Sequence, residues 1–111
     1  MEQYSVRLDG LLGALADPTR RAVLSRLGHG PATVSDLADA FPMALPSFMK
    51  HVHTLEKNGL IRTVKSGRVR TCELNHGSLA PLEDWLAEQR HIWEDRADRL
   101  TQFVTSPKEQ A

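Results

Sequence analysis

The stretch MALPSFMKHVHTLEKNGLI, residues 43–61, has the period of an amphipathic helix and decides the fold. Its apolar residues recur at a spacing that, at roughly 100° per residue, gathers them on one side. These residues are Leu45, Phe48, Val52 and Leu55. Asn58-Gly59-Leu60 then matches a glycine helix end with an apolar residue behind it. We predict a helix from about Ala44 to Asn58, with its apolar side toward the core.

Three helices are predicted before this stretch. Leucines at helical spacing between residues 8 and 15 predict a first helix that ends near residue 16. Asp17-Pro18 is typical of an N-cap followed by proline at the first helical position, and it opens a second helix to about Leu27. Thr33 and Asp36 have capping-box spacing and open a short helix that ends near Phe41.

Two β-prone runs, residues 60–65 and 69–74, follow the quoted helix, and Ser66-Gly67-Arg68 between them predicts a hairpin turn. Ser78 is predicted to cap a long last helix with Pro81 in its first turn. The predicted fold is therefore mainly α with a small β-hairpin, in the order of a winged helix-turn-helix. We expect one such domain over residues 1–105 and a flexible tail over residues 106–111.

The polar side of the 44–58 helix is predicted to enter a DNA major groove. A helix fits this groove, its N-terminal half reaches base edges, and its first N–H groups favour phosphate. His51 lies nearer the apolar edge, so local packing or capping is an equal alternative for it. The predicted DNA-contacting residues are Pro46, Ser47, Met49, Lys50, His51, His53, Thr54 and Lys57.

Positive charge is concentrated around the same elements, although the net charge of the chain is zero. Residues 44–70 carry six Lys and Arg against one acid, Glu56, and the flanking segments cancel this excess. Distribution matters more than the total for nucleic-acid binding. The hairpin is expected to contact neighbouring phosphates or the minor groove. The hairpin residues predicted to do so are Lys65, Ser66, Gly67, Arg68 and Arg70.

Length and composition fit a soluble globular domain: 111 residues, 41% hydrophobic and 25% charged. No run approaches a membrane span, and the N-terminal segment MEQYSVRLDG lacks the layout of a secretory signal. The one cysteine, Cys72, cannot form an internal disulfide, so a cytoplasmic location is expected. A partly buried inert thiol and a redox switch both remain open for Cys72.

Four segments, LGALADPTRRAVLSRL, VSDLADAF, LPSFMKHVHTLEKNGLI and SGRVRTCELN, resemble the ArsR (arsenical-repressor-like) family of small dimeric bacterial transcription regulators. The resemblance extends from about Leu8 to Phe103. It implies repression by operator binding and dimerisation through the first and last helices. The segment LAPLEDWLAEQRHIWEDRADRL is further similar to a subgroup found beside small START-like (AHSA1-type) proteins, whose members are generally not metal sensors.

The metal sites of this family have incomplete counterparts in the sequence. One family site uses paired cysteines before the recognition helix, where this chain has PATVSDLADAF without a soft ligand. The other uses an Asp-x-His pair and a later His-x-x-Glu, and this chain has Asp84-Trp85-Leu86 and His91-Ile92-Trp93-Glu94. Since zinc normally takes four N, S or O ligands, we expect no metal and no cofactor.

The last helix is longer than the remaining elements can cover, and its tryptophans lie on roughly one face. A large exposed apolar strip marks an interface, and a two-fold partner is the commonest solution. The predicted dimer interface comprises Leu8, Leu11, Leu12, Leu15, Trp85, Leu86, Ile92, Trp93, Leu100 and Phe103. A dimer would read an inverted-repeat operator in double-stranded DNA, with half-sites roughly 34–36 Å apart.

Two other functions compete with an unliganded homodimeric repressor. One is a sensor repressor gated by a metal or small ligand, and the other is a winged-helix module for protein interaction. An enzyme is not expected, because the sequence has no nucleophile with a base, no phosphate-cradling glycine loop and no complete metal shell.

Overall fold

The computed structural model of the chain describes the backbone of residues 2–110 and the side chains of residues 5–103. Its elements are α1 (Glu2–Leu15), α2 (Pro18–Leu27), β1 (Ala32–Thr33), α3 (Val34–Asp39), α4 (Leu45–Lys57), β2 (Ile61–Ser66), β3 (Val69–Leu74) and α5 (Ala80–Gln110). The chain divides into two compact units, Met1–Pro81 and Leu82–Ala111. Within the described ranges, no helix is long and apolar enough to cross a bilayer.

The predicted helix starts are confirmed in α2 and α3. The Asp17 carboxylate accepts a hydrogen bond from the Arg20 backbone N–H at 3.1 Å, with Pro18 at the start of α2. The Thr33 hydroxyl accepts one from the Asp36 N–H, also at 3.1 Å. Each cap satisfies a backbone donor that the first helical turn leaves without an intrahelical partner. The second helix of the helix-turn-helix, α4, follows α3 after five residues.

Helix α4 ends in a Schellman motif, which confirms the predicted glycine end. Gly59 has a φ of 76°, its N–H donates to the Glu56 carbonyl at 3.0 Å, and the Leu60 N–H donates to the Leu55 carbonyl at 3.0 Å. Leu55 and Leu60 are both buried, which supplies the apolar contact typical of this motif. The chain therefore turns sharply from α4 into β2.

The hairpin of β2 and β3 is confirmed, and a third strand that the sequence analysis missed joins it. The antiparallel sheet has the order β1-β3-β2, with Ala32 opposite Cys72 and Thr33 opposite Thr71. Gly67 has a φ of 63° in the turn between Ser66 and Val69, and Arg68 has a negative φ, as in a type II′ turn. At two residues, β1 is too short to show a strand period.

The core of the first unit lies between α4, the sheet and the preceding helices. Phe48, Val52 and Leu55 are each at most 1% exposed, as their spacing predicts. The Phe48 ring stacks on Phe41 with centroids 5.4 Å apart. The prediction for Leu45 is wrong, because this side chain is 56% exposed. Leu45 is the first residue of α4, where the helix has not yet reached the core.

The second unit consists of the greater part of α5. This helix begins at Ala80, two residues later than a cap at Ser78 predicts, and Pro81 lies in its first turn as expected. The N–H groups of Ser78 and Ala80 donate to the Asn75 and Gly77 carbonyls, so the chain makes turns before it enters the helix. Ala111 lies outside the described residues, and both the domain end at residue 105 and the flexible tail over residues 106–111 stay predictions.

Candidate nucleic-acid interface

The side of α4 that turns away from the core is polar and exposed. Lys50, His53 and Lys57 are exposed, together with Pro46 and Ser47 in the first turn, whereas Met49 and Thr54 are half-buried. The Thr54 hydroxyl donates to the Lys50 carbonyl at 3.0 Å. Because this bond occupies the hydroxyl hydrogen, Thr54 keeps an acceptor and a methyl group for an outside contact. The predicted DNA-contacting side therefore exists as an accessible surface, apart from His51.

The N-terminus of α4 has no side-chain cap. Ala44 occupies the cap position and makes no side-chain hydrogen bond, and Pro46 has no backbone N–H. The N–H groups of Leu45 and Ser47 therefore have no partner within the helix. A helix N-terminus in this condition favours an anion, because its unpaired N–H groups and the helix dipole both attract negative charge.

His51 is held against α2, which matches its local-packing alternative. Its Nδ1 lies 3.1 Å from Arg20 Nη1 and 3.7 Å from Asp17 Oδ2. Since a guanidinium only donates, the shorter contact makes Nδ1 an acceptor and leaves the hydrogen of a neutral ring on Nε2. A contact between His51 and DNA stays a prediction. The structure instead gives His51 a positioning role between α2 and α4.

Arg20, which the sequence analysis assigned no role at the site, joins three helices. Its Nε donates to the Ala14 carbonyl at 2.7 Å and its Nη2 to the Gly13 carbonyl at 3.0 Å, so it caps the end of α1 while contacting His51 on α4. Arg21 donates to the Leu15 carbonyl in the same way, at 2.7 Å. Two arginines in the first turn of a helix that directly follows another helix are the signal that predicts such capping.

Asp17 carries a negative charge at the start of α2, next to this junction. The hydrogen bond from the Arg20 backbone N–H holds the pKa of the Asp17 carboxyl below its ordinary value, and the charges of His51 and Arg20 lower this pKa further. The cap and the cations therefore favour the ionised form of Asp17.

The β2–β3 hairpin, which we call the wing, places two cations directly opposite each other. Lys65 pairs with Arg70 across the strands, and both side chains are exposed. Arg68 is exposed in the turn beside Gly67, and Ser66 is exposed opposite Val69. Like charges in directly opposite positions of a sheet are destabilising. An arrangement of this kind favours a surface that meets an anion.

The acidic groups near this surface are already engaged. Glu56, the one acid of residues 44–70, accepts a hydrogen bond from the Thr63 hydroxyl at 2.6 Å. Arg62 pairs with Glu73. The basic residues that form no ion pair with a described side chain are Lys50, Lys57, Lys65, Arg68 and Arg70. The α4 face and the wing therefore keep their positive charge for a partner.

Cys72 lies in the core and not at the surface. Its side chain is 0% exposed in β3, opposite Thr63 on one neighbouring strand and Ala32 on the other. Burial raises the pKa of the Cys72 thiol, and the Glu56 carboxylate raises it further. A buried thiol with a raised pKa is a poor nucleophile, which favours the inert alternative over a redox switch.

The residues predicted for a dimer interface divide into two groups. Leu8 and Leu11 are 8% and 3% exposed in the first unit, so they are already buried within one chain, whereas Leu12 is 43% exposed and Leu15 is half-buried. In α5 the predicted residues are 36–76% exposed. They are Trp85, Leu86, Ile92, Trp93, Leu100 and Phe103. At roughly 100° per residue these six span about 120° of the helix circumference, which is the width of an apolar stripe.

Metal ligands are not assembled in the part of the chain that the structure describes. No group of three or more His, Cys, Asp or Glu side chains is placed there to hold an ion. His91 and Glu94 are both exposed on α5. The donor set therefore does not fit the metal sites of related proteins, which agrees with the ligands missing from the sequence.

Comparison with known proteins identifies relatives over most of the chain. A family model described as a helix-turn-helix domain matches residues 15–64. The HTH-type transcriptional regulator Rv2034 of Mycobacterium tuberculosis is 39% identical over 69 residues, which are 62% of this chain and 64% of Rv2034. The chain thus spans slightly less than two thirds of that relative.

Two further relatives cover larger shares of their own length. The arsenical resistance operon repressor of Staphylococcus aureus is 32% identical over 72 residues, which are 65% of this chain and 69% of the repressor. The crystal structure of the ArsR family transcriptional regulator RHA00566 is 61% identical, covers 81% of this chain and 93% of its own, and superposes with a TM-score of 0.78. These relatives are transcriptional regulators and not enzymes.

Proposed function

Because this chain belongs to the ArsR family of winged helix-turn-helix transcriptional regulators, we propose that it is a homodimeric repressor that binds an inverted-repeat operator. As a member of this family the protein is a DNA-binding regulator. The operator is proposed to lie in its own promoter and in that of a neighbouring gene. Occupation of the promoter by the dimer would exclude RNA polymerase. This activity implies a cytoplasmic location.

The observation that carries this proposal is the opposition of Lys65 and Arg70 across the wing. Two like charges in directly opposite positions weaken the hairpin by themselves. A phosphate between them would convert this repulsion into two charge-assisted contacts. Glu56, the acid of this region, instead bonds to Thr63 and does not neutralise the pair. The wing is thus suited to a polyanion.

In the proposed complex, α4 lies in the major groove and the wing contacts the backbone beside it. Lys50, His53 and Thr54 are the side chains of α4 proposed to reach base edges, and these contacts specify the sequence. The uncapped N–H groups of Leu45 and Ser47 are proposed to bind a phosphate. Phosphate contacts orient the protein and provide sequence-independent affinity.

Dimerisation is proposed to occur through the apolar stripe of α5, with Leu12 of α1. Six large apolar side chains of α5 are exposed in the single chain, and a contiguous apolar surface of this kind marks an interface. Leu8 and Leu11 would act indirectly, by holding α1 in the core of its own subunit. A two-fold axis would set two copies of α4 about 34–36 Å apart, one turn of DNA.

We further propose that the protein does not respond to metal, and that it belongs to the subgroup found beside START-like proteins. The first part is supported by the absence of a three-ligand group among the described residues and by the missing cysteines and histidine in the sequence. A zinc titration of the purified dimer is expected to leave operator affinity unchanged. Stoichiometric zinc binding that releases DNA would contradict this part of the proposal.

Nuclease footprinting on the region upstream of its own gene tests the proposed function. A protected inverted repeat is expected, with its two halves one DNA turn apart. Lys50→Ala and His53→Ala should each lose operator affinity while the far-ultraviolet circular dichroism and the oligomeric state stay unchanged. Arg90→Ala removes one exposed charge from α5 and serves as the control. Failure to bind this region at low salt would instead favour a protein-interaction module.

The dimer is tested by sedimentation of Trp93→Glu, which places a charge in the apolar stripe. This variant should sediment as a monomer and should lose most of its operator affinity. Val64→Glu adds the same charge to a valine of the wing that is 56% exposed, and it should remain dimeric. A monomeric wild-type protein at micromolar concentration would exclude the proposed assembly.

A further inference from the structure

A cleft of about 340 Å³ opens in the first unit beside the end of α4. Val6, Arg7 and Leu11 of α1 line one side, and Lys57 lies at the last turn of α4. Asn75 and Ser78 line it from the segment that follows β3. This volume lies at the small end of the range for small-molecule sites. Of these residues, the DNA contacts proposed above use only Lys57.

The charge of the cleft is positive and unbalanced. Arg7 and Lys57 line it, and no acidic residue does. Neither cation makes an ion pair with a residue whose side chain the structure describes. A concave surface of one charge sign concentrates the opposite ion, and a guanidinium matches a carboxylate or phosphate with two parallel hydrogen bonds. The chemistry of the cleft therefore favours an anion.

The end of α4 does not oppose an anion, although a helix C-terminus is ordinarily negative. The carbonyls of Leu55 and Glu56 already accept hydrogen bonds from the N–H groups of Leu60 and Gly59. The Asn58 side-chain amide donates to the Thr54 carbonyl at 2.8 Å, which engages another carbonyl of the last turn. Few free acceptors thus face the cleft from this helix.

The cleft also connects α1 mechanically with the end of α4. Gly10 of α1 packs so closely on the Asn58 side chain that a Cβ at this position would collide with the Asn58 oxygen. The Asn75 amide donates to the Gly59 carbonyl at 2.9 Å and fixes the segment after β3 to the same helix end. An occupant of the cleft would therefore contact three segments that meet at α4.

We propose that this cleft is an effector site for a small organic anion, a carboxylate or a phosphate monoester with a short apolar body. Arg7 is its main anchor, Lys57 is the second, and Val6 and Leu11 contact the apolar part. The regulatory consequence rests on the proposed function. An anion that binds Lys57 withdraws this charge from DNA phosphate, so operator affinity falls.

Benzoate and phenyl phosphate are the probes for this site, with benzamide as the neutral counterpart. Each is titrated into ¹⁵N-labelled full-length protein at constant sodium concentration, and amide shifts are followed by NMR. The anions should shift the amides of Arg7, Lys57, Gly59 and Asn75 in a saturable way, and benzamide should not. The anion that binds more tightly identifies a carboxylate or a phosphate ester as the preferred class.

Arg7→Gln should weaken binding of the anion about fivefold, the upper range for an exposed ion pair. Arg7→Lys should restore most of this loss, which separates the charge from the folding of α1. Arg90→Gln removes the same charge from α5 and should leave the titration unchanged. Shifts that do not saturate, or that are equal for benzamide, would overturn the anion site.

Operator binding at saturating anion tests the regulatory part separately. The slope of log affinity against log salt should fall by about 1.8 for a dimer that loses one phosphate contact in each subunit. Equal concentrations of benzamide with sodium chloride should have no such effect. Saturated binding at the cleft with unchanged operator affinity would overturn the effector role. Loss of DNA binding in the absence of any anion would instead contradict the proposed function, and the NMR titration would be unaffected.

Discussion

Substitution of Lys65 by glutamine should change protein stability and DNA affinity in opposite directions. In the free protein Lys65 lies directly opposite Arg70, and both side chains are exposed. Removing one member of a like-charged cross-strand pair relieves a repulsion, which we expect to stabilise the fold by about 0.2–0.5 kcal/mol after solvent screening. A residue that served the hairpin alone would not be selected for repulsion.

On DNA the same substitution should remove one phosphate contact from each subunit of the proposed dimer. Neutralising one phosphate contributes a slope of about 0.9 in log affinity against log salt, so the variant should lose about 1.8. Between about 50 and 200 mM salt, the ratio of wild-type to variant affinity should therefore shrink about 12-fold. The loss should be similar for an operator and for a scrambled duplex, because phosphates carry no sequence information.

Fluorescence anisotropy with both duplexes at four salt concentrations measures the slopes, and urea denaturation measures the stability. Arg90→Gln in α5 is the charge-matched control and should leave both slopes unchanged. Our account of the wing would be refuted by an unchanged slope or by a loss confined to the operator. Destabilisation of Lys65→Gln by more than about 1 kcal/mol would show that the cross-strand pair supports the fold.

Three other predictions follow from the core, the α2 cap and the buried thiol. Phe48→Ala should lower the free energy of unfolding by about 3–5 kcal/mol, whereas Leu45→Ala should lower it by less than about 1 kcal/mol, and equal costs in urea melts would contradict the assigned faces of α4. The pKa of Asp17 is lowered in the folded state, so its stabilisation is present above about pH 3.9 and is lost as pH falls through the folded pKa. Asp17→Asn keeps the cap without titrating, so the wild-type denaturation midpoint should fall more steeply in acid, and parallel curves would exclude this linkage. Cys72 should react with Ellman's reagent at least about 100-fold more slowly in the native protein than in urea, and comparable rates would reopen a redox role.

Much of the fold follows from local signals that need no knowledge of distant residues. The Asp17 and Thr33 caps act within three residues, and the Gly59 helix end acts within five. The wing turn depends on the positive φ of Gly67, which glycine adopts without steric cost. For this reason the helix starts, the end of α4 and the hairpin were predictable from the sequence.

Parts of the candidate interface required the packed structure. His51 and Lys50 are neighbours with similar polarity, yet His51 is held by Arg20 from a helix 31 positions away in the chain and Lys50 is exposed. The opposition of Lys65 and Arg70 depends on strand register, which a shift of one residue would change. The engagement of Glu56 by Thr63 likewise required the contact between α4 and β2.

The sequence by itself determined which segments are helices, where the hairpin turns and which segment carries the positive charge, because periodicity, capping and glycine backbone freedom act over a few residues. Only the tertiary structure decided that Leu8 and Leu11 are consumed within the chain while Leu12 remains exposed, and that a two-residue strand completes the sheet. The physical reason is that burial and strand pairing depend on segments far apart in the chain. Neither can be read from the residues of one segment alone.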